Sequence, residues 1–275
     1  MKNERRHFWA ADLFYIGIMV IPILAGIVLK ILSAPVADGV QIAGAQIYFT
    51  IPMPIQNLII TEAQVNSFLV LLSLLGLCLY LTHGLKTRGI RRRQHLAEWI
   101  VEKADALVLD SMGEFFIGFS PFIMSILGLS AFSSLLTLFG LYAPTSDLNI
   151  VAGWALLVFL LITYYKCKCG PLQYLKSFAE PVALLAPMNI ISEIATPVSM
   201  ASRHYGNVLS GSVISVLIAY ALEKLSASLF SFLPGFLANI PFLRIGIPAV
   251  LSIYFDVFSG VLQAYIFAML TMKAW

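Results

Sequence analysis

Uncharged, mostly apolar runs recur along the chain at 13–29, 63–82, 115–146, 148–165, 204–222, 225–243 and 257–272, divided by short polar or basic stretches. A hydrocarbon core of about 30 Å takes roughly 20 apolar residues in helical form. The pattern therefore predicts an all-α membrane protein of about six crossings, folded as one polytopic domain over residues 1–275. Lys2, Arg5 and Arg6 flank the first run, and the second ends before Lys86, Arg88, Arg91, Arg92 and Arg93. Because Lys and Arg collect on cytoplasmic loops, residues 1–33 run outward as an additional N-terminal span, 34–62 form an external loop and 63–83 return. A signal peptide is the other reading of the first run, on the small residues Ser33, Ala34 and Ala37, but Lys30 interrupts its cleavage region. Residues 84–113 mix charge with Leu96, Ile100, Leu107 and Val108 at helical spacing, which predicts an amphipathic cytoplasmic helix on the membrane surface. The segment 115–142 then crosses outward, 143–149 turns outside, and 150–166 returns to Lys166, Lys168 and Lys176.

The last hundred residues follow a different rhythm. Ala186 to Leu222 and Ile240 to Met272 each read as one long helix, divided by a loop around Pro234 and Gly235. At 1.5 Å per residue either would be about 50 Å long. Such helices must tilt steeply, break or lie partly along the membrane. No internal repeat of the kind that marks inverted-repeat transporters is visible.

Composition sharpens this picture. The 275 residues are 60% hydrophobic and 11% charged, with a net charge of +3 and a mean hydropathy of +0.89. An ordinary soluble domain is about 25% charged, so soluble folds, nucleic-acid binding, disulfide scaffolds and disorder drop out together. Cys78, Cys167 and Cys169 fit neither a zinc nor a redox spacing. No HExxH, GxSxG or glycine-rich phosphate loop is present; the serine of Gly118-Phe119-Ser120-Pro121 lacks the second glycine. The chain is expected to be non-catalytic, without a cofactor or a metal.

Charge inside an apolar helix is costly and marks function by default. Arg203 opens a run that is uncharged to Leu222. Thr196, Ser199, Gly206, Asn207 and Ser210 lie at offsets −7, −4, +3, +4 and +7 from it, on the same helical face. That face is small and polar, suited to close approach by another helix. A second stripe, Ser252, Asp256, Ser259, Gly260 and Gln263, reads as the lining of a hydrated path. Glu193 lies one stretch before Arg203. His204 is one step along the helix from Arg203, faces elsewhere, and is read as structural.

The segment Ser199-Met200-Ala201-Ser202-Arg203-His204-Tyr205-Gly206-Asn207, followed by Gly211, resembles the signature of subunit a of F-type ATP synthases. Pro144 to Asn149, Pro187 to Ile194 and Leu262 to Phe267 resemble further stretches of that family in the same order, and together they cover roughly residues 50 to 275. The resemblance implies a stator channel for H+ or Na+, pressed against a ring of c subunits and held by b-type peripheral stalk subunits in a bacterial-type cell membrane. It also implies that 178–275 forms a tilted helix hairpin facing the ring. Arg203 would be the essential arginine, Asn207 and Gln263 polar groups near it, and Asp256 the acidic position of the outer half-channel. Glu193, Ser192 and Asn189 would line the cytoplasmic exit. Ser199, Ser210, Ser252 and Ser259 are further lining candidates, and Ser133 or Ser134 stands near the place of an asparagine common in the outward span. The acidic residue many members carry nine positions after the arginine is Ser212 here, so Asp256 is expected to supply the carboxylate. Both termini are expected in the cytoplasm. The competing reading is a free-standing ion-coupled secondary transporter.

Overall fold

A computed structural model describes residues 2–33, 44–54, 57–85, 92–178, 184, 186–229, 250–251 and 253–274. Lys86, Arg88 and Arg91, the loop at Pro234 and Gly235, and Ser252 lie outside the described residues. Six helical stretches among the described residues are long and apolar enough to cross a membrane: Ala11–Ser33, Glu62–Thr82, Glu114–Phe139, Leu148–Lys168, Ala186–Leu229 and Ile253–Lys273.

The first is carried by α1 (Lys2–Ser33) and the second by α2 (Glu62–Thr82). Gln64 Oε1 accepts the Thr61 backbone N–H at 3.3 Å, which supplies a partner for a donor at the start of α2. The two helices meet closely because Gly76 has no side chain: a Cβ there would lie 2.6 Å from the Met19 backbone nitrogen. Ion pairs tie both ends of α1, Lys30 Nζ to Glu62 Oε1 at 3.3 Å and Arg93 Nη1 to Asp12 Oδ1 at 2.6 Å. Between these helices the expected external loop contains a short antiparallel hairpin, β1 (Ile47–Ile51) with β2 (Leu58–Thr61), pairing Ile51 with Leu58. Its β-branched and aromatic residues favour strands.

Helix α3 (Arg92–Met112) does not simply lie on a membrane surface. Val108 is wholly buried with Ile123, Ala268 and Met272, so its apolar edge closes one end of the bundle, while Leu96 stays outside that contact, 49% exposed. The third crossing is α4 (Ser120–Leu135) flanked by 3-10 turns. Gly140, at φ 72°, ends it in the left-handed region that glycine tolerates. The return helix α5 (Leu148–Cys169) starts from Asp147, whose carboxylate accepts the Asn149 N–H at 2.9 Å, and ends with Lys166 and Lys168 in its last turn, where cations suit the helix dipole. A short α6 (Pro171–Ser177) follows.

Helix α7 spans Ala186–Leu229, 44 residues or about 66 Å. It runs past the expected end at Leu222, so the apolar run from 225 begins as its continuation. The last crossing begins with a π-helical turn, Ile253–Ser259, and continues as α8 (Gly260–Ala274). His204 meets Phe267, Asn207 meets Ser259 and Gly211 meets Phe255. Numbers rise on α7 as they fall on its partner, so the two form an antiparallel hairpin. The main core, Val151, Ala155, Val158, Ile162, Met200, Ala201 and Phe267, joins α5, α7 and α8.

Candidate functional site

The bundle has two chemically distinct ends. Glu62 and Asn66 hold the turn at 142–146 from α2, Glu62 Oε1 accepting the Tyr142 N–H at 3.3 Å and Asn66 Nδ2 donating to Tyr142 O at 2.8 Å. This loop end also carries the β-hairpin. Arg92, Arg93, Lys166, Lys168 and Lys176 mark the opposite, basic end.

At the basic end Glu193 accepts from Lys166 Nζ at 3.0 Å and from the Tyr174 hydroxyl at 2.9 Å. Burial, then the hydrogen bond to Glu193, raises the Tyr174 phenol from 10.0 to about 12, so it is a standing donor. Asn189 Nδ2 donates to Phe178 O at 2.8 Å. A recess of about 320 Å³ is lined by Lys166, Asn189, Ser192, Glu193, Thr196 and Met200, among others. A second recess, about 220 Å³, is lined by Ser192, Thr196, Ser199, Met200, Arg203 and Leu270, among others. They share Ser192, Thr196 and Met200. Four residues read from the sequence, Asn189, Ser192, Glu193 and Ser199, thus line these two recesses, the second of which reaches Arg203.

Arg203 itself is exposed on α7. Among the described residues it makes no salt bridge. Ile191, Val198 and Leu217 are also exposed, at 66%, 61% and 50%, and only 6% of the most apolar part of α7 is buried. Apolar side chains exposed on a membrane-length helix suit contact with lipid or with another membrane segment.

One turn along α7 from Arg203, Asn207 Nδ2 donates to Ser259 Oγ at 2.7 Å, bringing together two residues of the predicted stripes. Gln263, one turn further, is buried at 5% exposure on the face that carries Gly260 and Phe267. Gly260 lets α8 touch α4: a Cβ there would lie 2.7 Å from Ser134 Cβ. Ser133 and Ser134 are buried at this contact. Asp256 belongs to the π-helical turn; its side chain lies outside those described. Ser210 and Ser212 are turned back on their own helix, donating to Asn207 O at 3.1 Å and Leu209 O at 2.8 Å.

His204, read from the sequence as structural, is enclosed within the bundle. Its side chain is wholly buried, its ring is edge-on to Phe267 at 5.8 Å, and Nε2 lies 3.3 Å from Ser130 Oγ. Ser130 and Thr145 went unread, although the spacing of Ser130, Ser133 and Ser134 already places three hydroxyls on one face of α4.

A family model described as ATP synthase A chain matches residues 64–273. ATP synthase subunit a 1 of Crocosphaera subtropica is 32% identical over 215 residues, 75% of this chain and 84% of the relative. ATP synthase subunit a of Trichlorobacter lovleyi is 29% identical over 218 residues, 77% of this chain and 84% of the relative. A subunit a of Propionigenium modestum, named as sodium ion specific, is 35% identical over 133 residues, 48% of this chain and 39% of the relative.

Proposed function

This chain belongs to the ATP synthase A chain family, and from that premise we propose that it is the ion-translocating stator subunit, giving H+ or Na+ two offset half-channels to and from a ring of c subunits. The observation that carries the reading is Arg203, exposed on a 44-residue helix beside a recess that shares Ser192, Thr196 and Met200 with the one at Glu193.

The chemistry follows from electrostatics. A ring carboxylate facing lipid is neutral, because desolvation disfavours its charge. Opposite Arg203 a fixed positive charge favours ionisation, so the ion is released there. Arginine suits this post because it stays protonated at any physiological pH. Its charge also repels cations moving straight from one half-channel to the other. Glu193, Ser192 and Asn189 line the half-channel at the basic end, which is cytoplasmic by the excess of Lys and Arg there. Asp256, Asn207, Gln263, Ser259, Ser133 and Ser134 belong to the half-channel at the loop end. Moving one charge across the membrane releases about 2.3 kcal/mol per 100 mV, so several ions per ATP are needed. The chain itself carries no phosphoryl chemistry. A b-type peripheral stalk holds it against the torque, the setting is a bacterial-type cell membrane, and both termini are cytoplasmic.

Vesicles containing the assembled complex test this. Arg203→Ala should leave the c ring bound and abolish ATP-driven ion uptake. Arg203→Lys should largely fail too, since a desolvated ammonium loses its proton more readily. Uptake near wild-type rates in either variant would overturn the reading.

A further inference from the structure

Two buried polar atoms, His204 Nδ1 on α7 and Ser133 Oγ on α4, have no hydrogen-bond partner among the described residues. Both residues are fully buried. An unpartnered group of this kind is costly unless something fills the vacancy in function. The surroundings are rich in lone pairs. Ser130 Oγ faces His204 Nε2 at 3.3 Å, Ser134 Oγ donates to Ser130 O at 3.2 Å, and Thr145 Oγ1 lies 3.4 Å from Ser134 Oγ. Thr145 sits in the 3-10 turn Pro144–Ser146, at the loop end of the bundle. Hydroxyls therefore recur from that loop along one face of α4 to the imidazole, Ser134 joining Ser130 through the backbone carbonyl. The residue before His204 is Arg203, which lines the second of the two recesses.

We infer that His204, with Ser130, Ser133, Ser134 and Thr145, forms the inner end of the loop-side half-channel, a buried acceptor site that takes a monovalent cation, as hydronium or Na+, before it reaches the ring. This rests on the stator reading given above. The site offers lone pairs of an imidazole nitrogen and of hydroxyl oxygens, and no carboxylate from α4. For a proton, Nε2 takes one from a hydronium on the Ser130 side, leaving water, as the Nδ1 proton is given up on the side towards the ring, and a turn of the imidazole restores the starting tautomer for the next proton. For Na+, the same lone pairs replace hydration waters. The charged and titratable groups on the surrounding elements are Glu193, Arg203, Tyr205, Tyr220, Glu223 and Lys224 on α7, Tyr142 and Asp147 at the loop, Tyr254 and Asp256 in the π-helical turn, and Tyr265 and Lys273 on α8. The range Ser120–Leu135 carries none.

The test uses the whole complex in phospholipid vesicles, with ATP-driven acidification and ²²Na+ uptake measured across pH and Na+ concentration. His204→Phe fills the same space beside Phe267 without a lone pair and should lower uptake by about tenfold or more, as expected for a group that handles the moving ion, with the c ring still bound. His204→Gln keeps a polar group toward Ser130 and covers the case in which the Phe variant does not assemble. It should pump more slowly, with the pH profile displaced if the ion is H+ or the half-saturating concentration raised if it is Na+. A merely structural histidine predicts otherwise: His204→Gln pumping with the wild-type ion dependence, or His204→Phe pumping within about twofold of wild type, a loss smaller than any handling role allows, overturns the inference. Arg203→Ala is measured in parallel. Loss of pumping there alongside a silent His204→Gln sinks this inference alone, whereas pumping by Arg203→Ala sinks the stator reading beneath it.

Discussion

Gly260→Ala should loosen the last helix from α4 and α7 at once. A Cβ at this position would lie 2.7 Å from Ser134 Cβ and 3.3 Å from Ser134 Oγ. Carbon atoms in contact prefer about 3.5–4.0 Å, so the deficit is about 1 Å. The hydroxyl can rotate away, but Ser134 Cβ is fixed to the backbone, and α8 itself has to retreat from α4. The residue before Gly260 is Ser259, whose hydroxyl receives the Asn207 amide at 2.7 Å. A retreat of about 1 Å takes that contact beyond hydrogen-bonding distance. Overpacking of this kind costs about 1–3 kcal/mol, equivalent to about five- to 150-fold. ATP-driven uptake in vesicles should fall within that range while the complex stays assembled. The control is a double-mutant cycle with Ser134→Gly, which removes the obstructing carbon. Because Ser134→Gly also deletes a hydroxyl, it is measured alone, and Gly260→Ala is then added. If the clash is the cause, Gly260→Ala costs little in that background. An undiminished cost there, or wild-type uptake in Gly260→Ala alone, would refute the packing argument.

Three further outcomes are expected. Asp256→Asn should slow ion uptake strongly and Ser212→Ala should not, because Ser212 already donates to its own helix at 2.8 Å and cannot ionise; adding Ser212→Glu to Asp256→Asn should restore part of the flux, and full activity of Asp256→Asn at every pH would contradict this. Lys30→Ala should lower the thermal midpoint of the complex, since Glu62 is 2% exposed and its 3.3 Å partner is gone; with Lys30 partly exposed the cost is about 1 kcal/mol, and adding Glu62→Gln should recover most of it. Tyr174→Phe should lower uptake by about threefold, the mean size of a membrane hydrogen bond. The phenol's raised pKa, about 12 against 10.0, favours the protonated form in the fold. Its contribution is complete below pH 10 and lost only as pH rises through about 12, so the factor should be the same from pH 6 to 9 on the vesicle's outer face, and a factor that grows with pH would refute it.

The crossings were legible because lipid imposes one rule on every span, and Lys and Arg mark its ends. The arginine face was legible because Ser199, Arg203 and Asn207 recur at four-residue spacing within one helix. What depended on distant packing was not. His204 looked structural because it stands beside Arg203 in sequence but about 100° away on the helix, and its polar surroundings come from Ser130, 74 residues upstream. The partners of Glu193 are Lys166 and Tyr174, on separate elements, and nothing in the sequence brings them together. The hairpin at Ile47–Ile51 and Leu58–Thr61 escaped notice for a related reason. Its segments are short, and strand pairing is a relation between segments rather than a property of either.

The arrangement around residues 203 and 204 bears on why such a device does not leak. Arg203 and His204 are neighbours in sequence, yet one lines the second recess and the other meets the hydroxyls that recur from the loop end. What separates them is apolar. Met200 lines both recesses on one side, Phe267 touches the His204 ring on the other, and both belong to one buried cluster with Ala201 and Val158. An ion crossing that cluster directly would lose its solvation with nothing to replace it, a cost of several kcal/mol even after relaxation, and would meet the guanidinium charge as it emerged. Each side is polar up to the helix and neither is polar through it. Under the stator reading, the way from one to the other is a carboxylate carried round on the ring, and the energy of the ion gradient is thereby delivered as rotation. The seal is made by side chains of α5, α7 and α8 that carry no charge, so the coupling depends as much on those apolar residues as on the arginine beside them.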